Sequence, residues 1–427
     1  MTNMADMSRD ALVVLERELS RDFELQKSNK LALDLTRGKP APDQLALSAA
    51  MDDVLAGDFF AADGTDTRNY GGLRGLPEAR ALGAELLDTP VENVMCHGNS
   101  SLTLMYIVTE TALRYGLWGD ERRWAKASTV KVLTPVPGYD RHFTLCQSLG
   151  IEMINVPMTD SGPDMEEVNR LAALDDSIKA IWCVPKYANP TGCIYSDECV
   201  GELARLPATA AADDFVVFWD NAYAVHDFQF PRAPLASIAN LAAEAGTADQ
   251  IVMFASTSKI TYAGAGLGFL ATSATVLDVL EKRMSVFAIG PDKVNQLRHA
   301  RFLNGRLEVH MARHAALLKP KFEMVEQTLR DGLGELDIAC WTTPAGGYFV
   351  SLDTRPGLAK HIEQLAGETG LTLTPAGAPF PCGKDPEDRN LRIAPTFASL
   401  EDLSVAMSIL VLCIKLSTVR QQLGLSS

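Results

Sequence analysis

Four short apolar segments in the middle of the chain, each bounded by turn residues, constrain the fold more than any other feature. They read KVLTPV, KAIWCVP, FVVFWD and IVMFAS, and stretches between them, such as MEEVNRLAALDD, have apolar residues at helical spacing. Strands that are apolar along their whole length and alternate with helices are typical of a parallel sheet covered on both faces. The sequence therefore predicts an α/β fold, whose ligands bind at the carboxyl ends of the strands.

Composition and charge exclude several classes of function. The chain has 427 residues, of which 47% are hydrophobic, and this is enough for one large and one smaller core. The net charge of −15 argues against a nucleic-acid-binding surface, which needs a basic patch. The eight cysteines are scattered without C-x-x-C spacing, so we expect reduced thiols and neither a metal cluster nor a disulfide scaffold.

Two segments bear on where the protein is found. The stretch MTNMADMSRDALVVLERELSRDF has acidic residues where a signal peptide has a basic start and an apolar centre. The longest apolar run, LSVAMSILVLCI, is too short to span a bilayer and fits a packed helix. We therefore expect a cytoplasmic protein that does not cross a membrane.

The loops after the predicted strands carry polar and aromatic residues. They read PVPGYD, PKYANPTG, WDNAY and STSK, and a fifth loop, CHGNSS, precedes the helical run LTLMYIVTETALRY. In that fifth loop, Gly98, Asn99 and Ser100 would present backbone amides and a hydroxyl at a helix N-terminus, which suits an anion. One such loop is weak evidence, because polar caps precede most helices. Five of them in one α/β domain predict a site for a planar, charged ligand.

In STSK a single lysine, Lys259, stands after an apolar run and before glycines at positions 264, 266 and 268. Taken alone it fits a solvated surface lysine. A catalytic lysine is the alternative, because burial and a nearby cation lower the pKa of an amine and make it nucleophilic. The glycines do not form a dinucleotide-binding motif, because they lack the G-x-G-x-x-G spacing and follow the lysine.

From about residue 30 to about residue 400 the chain resembles the fold-type I pyridoxal-phosphate (PLP) aminotransferases. More narrowly, it is similar to the bacterial aspartate aminotransferase subgroup related to MocR-type domains. The resemblance rests on N-P-T-G at 189–192, D-x-A-Y at 220–223, S-x-S-K at 256–259 and the late NLRIAP. It implies the type I PLP-dependent transferase fold, and it also implies a homodimer with shared active sites.

The same resemblance implies how the chain is divided. A large PLP-binding domain, with a mostly parallel seven-stranded sheet, would span residues 55–295. A smaller α+β domain would combine residues 1–54 with residues 296–427.

The resemblance implies a role for each catalytic residue. Lys259 would hold the cofactor as an imine and then move a proton between substrate and cofactor. Asp220 would face the ring nitrogen and keep it protonated; a turn or cap aspartate is the alternative. Tyr223 and Asn189 would bond the phenolic oxygen of the ring. Tyr139 would stack on the ring face, and a packed core tyrosine is its alternative.

For the cofactor phosphate, the matching residues are Gly98, Asn99, Ser100, Ser256 and Ser258. Tyr70, in RNYGGLRGLPEAR, resembles the family tyrosine that reaches the phosphate of the neighbouring subunit. Many members carry an arginine eight residues after the lysine as a phosphate partner, but that position is Leu267 here. The phosphate must therefore be neutralised in another way.

For the substrate, Arg392 matches the family arginine that binds the α-carboxylate, where a planar bidentate partner is needed. Asn189 would assist it, and Gly38, in DLTRGKP, resembles the loop that closes over the substrate. A distal carboxylate would need a second cation. The candidates, of which we favour the last, are Arg37, Lys39 and Arg141.

Two histidines, His310 and His314, stand four apart in a helical pattern and could mimic a metal pair. No third ligand type is apparent nearby, and an exposed helix face explains them better. We expect no metal.

The predicted activity is transfer of an amino group from L-aspartate or L-glutamate to a 2-oxo acid such as 2-oxoglutarate. Other PLP reactions on the same scaffold, such as β-lyase or decarboxylase chemistry, stay open, because the cofactor does the hard chemistry. A PLP-binding domain of a transcription regulator is disfavoured, because the roughly thirty residues before the resemblance are too few for a winged helix.

Overall fold

The computed structural model describes residues 4–36 and 38–425, and within these ranges it contains thirteen α-helices and thirteen strands. The helices, α1 to α13 in chain order, are Arg9–Ser28, Pro42–Ala46, Pro77–Leu87, Ser101–Arg114, Asp140–Ser148, Met165–Leu174, Asp197–Thr209, Ile238–Ala245, Ala274–Met284, Lys293–Leu303, Leu307–Leu333, Ala359–Glu368 and Leu400–Leu423. The strands, β1 to β13, are Leu33–Leu35, Val94–Cys96, Lys131–Val136, Glu152–Thr159, Gly162–Pro163, Ile178–Cys183, Val216–Asp220, Ile251–Ser256, Gly268–Ala271, Ala339–Trp341, Val350–Thr354, Leu371–Leu373 and Asn390–Ile393.

In the described part of the chain, eight strands form the large sheet, in the order β2-β9-β8-β7-β6-β3-β4-β5. The central pairs, from β8 to β4, are parallel, and the pairs at both edges are antiparallel. The four segments predicted as strands are β3, β6, β7 and β8, so this prediction is confirmed. Every residue of β7 is buried, because cores on both faces of the sheet cover it. The predicted number of strands was one too low, because β5 is a two-residue strand without a recognisable pattern.

The strand order brings the polar loops to one edge of the sheet. β3, β6, β7 and β8 are parallel neighbours, so their carboxyl ends meet. The loop after β3 carries Tyr139, and the loop after β6 carries Asn189. β7 ends at Asp220, and Lys259 follows the end of β8 by three residues. The fold therefore assembles residues that are distant in sequence.

A second core lies on a three-stranded antiparallel sheet, β10-β11-β13, and on the parallel pair β1-β12. Helices α1, α11 and α13 pack around it. By length and composition alone, α13 could cross a membrane, but 67% of its most apolar window is buried inside the protein. The apolar run LSVAMSILVLCI thus lies in a helix of this core, as the sequence predicts.

Candidate active site

A small cavity lies at the carboxyl ends of β3, β6, β7 and β8, where the sequence predicts a site. Its nine lining residues come from the loops after these strands, together with the start of α4. Three of them were not predicted: Ser101, Val184 and Ala222. The other six are predicted site residues: Tyr139, Asn189, Asp220, Tyr223, Ser256 and Lys259.

Lys259 presents its amine to this cavity between two aromatic rings. Its Nζ lies 5.1 Å from the centroid of Tyr223 and 5.9 Å from that of Tyr348. Burial lowers the pKa of the Lys259 amine, and the negative charge of Asp220 opposes this shift without cancelling it. The Lys259 backbone is held as well, because its carbonyl accepts hydrogen bonds from the Tyr348 hydroxyl at 3.4 Å and His226 Nε2 at 3.2 Å. The arrangement suits a nucleophilic amine in a fixed position.

Asp220 is a buried carboxylate, and among the described residues only one of its two oxygens has a hydrogen-bond partner. Its Oδ2 accepts a hydrogen bond from His142 Nε2 at 3.0 Å, and both residues are 2% exposed. The His142 ring stacks on Trp182 at 4.3 Å. The other oxygen, Oδ1, is buried and has no hydrogen-bond partner within residues 4–36 and 38–425. A buried carboxylate oxygen is costly without a partner, so it indicates a donor that comes from a ligand.

Two tyrosines line the cavity beside this carboxylate. Tyr223 is 3% exposed, and burial raises the pKa of its hydroxyl well above the usual value. Burial and the negative charges of Asp220 and Asp140 likewise raise the pKa of Tyr139. Tyr139 packs its ring edge-on against His142, with the centroids 4.9 Å apart. Both hydroxyls therefore stay protonated at neutral pH and can act as donors.

Arg392, on β13, contacts Asn189, one of the residues that line the cavity. Its Nη1 donates to Asp140 Oδ1 at 3.0 Å and lies 3.4 Å from Asn189 Oδ1. The guanidinium lies over the ring of Phe349, 5.0 Å from its centroid. Gly38 packs under the same ring, and a Cβ atom at position 38 would lie 2.5 Å from it. The predicted arginine and the predicted glycine loop are thus layered on one phenylalanine.

The predicted phosphate residues lie together at the start of α4. Gly98 has φ +67°, which favours glycine, and Ser100 caps the helix by accepting a hydrogen bond from Leu102 N at 3.2 Å. Ser258 Oγ donates to the Asn99 carbonyl at 3.4 Å, so the loop after β8 contacts this turn. Amides at a helix N-terminus and nearby hydroxyls are groups that suit an anion.

Tyr70 is not part of this cavity, and its side chain points away from the protein. It is 83% exposed. The loop around it is nevertheless fixed, because Lys293 Nζ donates to the carbonyls of Asn69 and Gly71, each at 2.7 Å. Lys293 itself is 3% exposed. A rigid loop with a protruding tyrosine suits contact with another molecule.

Two of the three candidate cations for a distal carboxylate, Arg141 and Lys39, do not line the cavity. Arg141 is exposed on α5 and does not line it. Lys39 is exposed and places its amine 3.9 Å from the ring centroid of Phe397. Arg37 lies outside the described residues.

The expectation that His310 and His314 lie on an exposed helix face was wrong. They are 5% and 1% exposed, and His310 Nε2 donates to the carbonyl of Ile260, next to Lys259, at 2.7 Å. His314 Nε2 lies 3.2 Å from His310 Nε2. Burial lowers the pKa of several histidines around the site. We call the three with the largest shifts the histidine trio, with pKa values of about 3, 4 and 4: His226, His299 and His314.

Three residues near the reactive groups were not predicted: Asp140, His142 and Tyr348. The first two lie in PGYDRHF, beside the predicted Tyr139, and a helix that starts at Asp140 places Tyr139 and His142 on one side. Helical spacing from Tyr139 could have identified His142. Tyr348 follows two glycines in AGGYFV. It is distant from Lys259 in the sequence, and only the folded chain brings the two residues together.

Comparison with known proteins identifies the family of the chain. A family model described as aspartate amino-transferase matches residues 7–426. An aspartate aminotransferase of Corynebacterium glutamicum is 43% identical over 421 residues, which are 97% of this chain and 96% of that protein. A crystal structure of an aspartate transaminase from C. glutamicum superposes with a TM-score of 0.94 at 42% identity, over 98% of this chain and 99% of that one. An α-aminoadipate aminotransferase of Thermus thermophilus, solved with a phosphopyridoxyl-leucine adduct, shares the fold, with a TM-score of 0.75, 20% identity and 95% coverage of both chains.

Proposed function

The chain belongs to the aspartate aminotransferase family, and on this premise we propose that it transfers the amino group of L-aspartate to 2-oxoglutarate. That it is a PLP-dependent aminotransferase follows from the family; the choice of amino donor rests on the relatives. The observation that carries the proposal is that the Lys259 amine and an unpartnered oxygen of Asp220 share one cavity.

The residues of the cavity fit PLP. The buried Oδ1 of Asp220 is the acceptor that a protonated ring nitrogen needs. The amides and hydroxyls at the start of α4 suit a phosphate group, and the ring of Tyr139 offers a flat apolar wall. When bound, PLP supplies a sink for the electrons released at the substrate α-carbon.

Each side chain then has a distinct task. Lys259 would bind the cofactor covalently and, because burial lowers the pKa of its amine, would accept and return a proton at the substrate α-carbon. Asp220, held by His142, would keep a proton on the ring nitrogen. Tyr223 and Asn189 would donate to the phenolic oxygen of the ring.

We propose that Arg392 binds the substrate α-carboxylate, with Asn189 beside it. The 3.4 Å contact between these two side chains supports this pairing. Gly38 would bring the N-terminal loop against the substrate through Phe349. Arg141 remains our candidate for a distal carboxylate, and its exposure means that it could act only after a movement of α5 or of the substrate loop.

We further propose a cytoplasmic homodimer in which Tyr70 reaches the phosphate site of the partner. The rigid loop and the 83% exposure of Tyr70 support this role. We propose a large domain over residues 55–295 and a small domain from residues 1–54 and 296–427. The second core, drawn mostly from the two chain ends, supports this division, although α10 packs against the first core.

The test is an absorbance spectrum of the PLP-loaded protein before and after L-aspartate is added without an oxo acid. We expect the band of the lysine-bound cofactor to change to that of its amine form, with release of oxaloacetate. An unchanged band would exclude aspartate as a donor. L-Alanine and carbon dioxide as the first products, with no oxaloacetate and no amine form of the cofactor, would instead favour the decarboxylase alternative.

A lysine variant tests the site itself. Lys259→Ala should lose the band of the lysine-bound cofactor, because no other amine lines the cavity among the described residues. Lys319→Ala, on the surface of α11, is the matched control and should keep it. Retention of the band in Lys259→Ala would refute the assignment.

A further inference from the structure

Arg392 already has a carboxylate partner within the protein. Its Nη1 lies 3.0 Å from Asp140 Oδ1. In the described part of the chain this is the one ion pair that Arg392 makes. Its Nε is buried and has no hydrogen-bond partner there. The arginine proposed to bind substrate is therefore neutralised by a side chain that carries the same chemical group as the substrate.

The two partners differ in their freedom to move. The Arg392 side chain is 7% exposed, whereas that of Asp140 is 31% exposed. Phe349 lies under the guanidinium and Asn189 lies beside it, which hold Arg392 in place. Asp140 starts α5 and can turn its short side chain into water without disturbing the core. An exchange of carboxylates on Arg392 would therefore move Asp140 and leave the arginine fixed.

We propose that Asp140 competes with the substrate α-carboxylate for Arg392 and so sets the affinity of the site for amino and oxo acids. The proposal rests on the proposed role of Arg392. Two carboxylates beside one guanidinium repel each other, so a bound substrate must displace Asp140 or share the arginine at a cost. The same competition would help product to leave, because Asp140 can retake the arginine. Asp140 thus lowers the affinity of the site for carboxylates and favours their exchange.

Position at a helix start is the competing explanation for Asp140. Acidic residues stabilise the first turn of a helix by interaction with its dipole, and this would require no role for Arg392. Asp197 provides a matched control, because it is also the first residue of a helix, α7, and is exposed away from the cavity. Asp197→Asn removes the same helix charge and leaves Arg392 untouched.

The experiment compares Asp140→Asn with Asp197→Asn in the PLP-loaded protein. Calorimetry with succinate, a dicarboxylate without an amine, and spectral titration with L-aspartate both measure carboxylate binding. We expect Asp140→Asn to bind both ligands about three- to fivefold more tightly than wild type, the size expected for a partly exposed ion pair. Reaction with hydroxylamine, which has no carboxylate, should proceed at the wild-type rate in both variants. Asp197→Asn should match wild type throughout.

Two results would overturn the proposal. Weaker binding in Asp140→Asn would mean that Asp140 orients Arg392 for the substrate, and affinities equal to those of Asp197→Asn would mean that Asp140 only stabilises its helix. Failure of the proposed function is distinguishable, because wild-type protein would then show no spectral response to L-aspartate at all.

Discussion

A buried ion pair, Lys186–Asp227, ties two loops of the site together and allows a quantitative prediction. Lys186 Nζ lies 2.9 Å from Asp227 Oδ2, and the two side chains are 4% and 1% exposed. Asp227 Oδ1 accepts hydrogen bonds from the Tyr187 hydroxyl at 2.7 Å and from Ala233 N at 2.8 Å. Lys186 also donates to the Ala224 carbonyl at 3.1 Å. The pair thereby joins the loop that carries Asn189 to the loop that follows β7.

Asp227→Asn keeps the shape of the side chain and removes its charge. The Lys186 ammonium then stays buried without a counter-charge, and breaking a buried pair in this way costs about 3–5 kcal/mol. Lys186→Met leaves the opposite charge buried with two donors, so we expect a loss at the lower end of that range. In the double variant neither charge remains, so its loss should fall well below the sum, at no more than about 5 kcal/mol.

Guanidinium unfolding of the PLP-loaded protein, followed by tryptophan fluorescence, measures the three losses. Protein and cofactor concentrations must be equal in all samples, because bound ligand and subunit contacts add to stability. A double variant whose loss equals the sum of the single losses would show that the two charges are not coupled. A loss below about 1 kcal/mol in either single variant would show that water reaches the pair and would refute its burial.

Three further predictions concern cofactor binding and pH. Lys293→Met should release the loop around Tyr70, so PLP should dissociate faster, as it should in Tyr70→Phe. The dissociation rate is measured by absorbance. Additive effects of the two substitutions in the double variant would contradict this prediction. His142→Phe removes a charge-assisted hydrogen bond to Asp220, and such a bond contributes about 1.5–3 kcal/mol. A titration of the apoprotein with PLP should therefore show an affinity that is lower by about tenfold or more. Unchanged affinity would count against the proposed role of this pair. The pKa values of the histidine trio are lower in the folded than in the unfolded protein. The unfolded chain therefore takes up more protons as the pH falls below about 6.5. The free energy of unfolding should then fall between pH 7.5 and 5.5 by about 1 kcal/mol per histidine. A flat unfolding free energy over that range would show that these histidines are not held neutral.

The central strands and the loops after them could be predicted because their signals are local. The four predicted strands, β3, β6, β7 and β8, lie in the middle of the sheet and are apolar on both faces, and turn residues bound each of them in the sequence. Parallel order then places the loop ends at one edge, which is why Tyr139, Asn189, Asp220 and Lys259 meet.

The burial of His310 and His314 could not be predicted in the same way. Their partners are the carbonyl of Ile260 and the side chain of Gln44, which come from distant parts of the chain. A polar residue at helical spacing reads as exposed unless such a partner is known, because burial without one is costly. Arg141 shows that nearness in sequence does not ensure nearness to the cavity. It lies between two residues near the cavity but is exposed and does not line it, because successive side chains of α5 point in different directions.

Leu267 marks the limit of what the sequence could show about the phosphate site. Its side chain is 1% exposed, and its backbone N–H and carbonyl both pair with Thr257 at 2.9 Å, so an arginine there would bury a charge. The sequence shows that the family arginine is replaced at position 267, but it does not show the backbone geometry of the loops around this position. Gly98 adopts a left-handed turn, and Gly268 packs so close to Ser100 that a Cβ atom would lie 2.9 Å from its backbone. Because glycines are common in loops, only the fold reveals which of them lie at the proposed anion site.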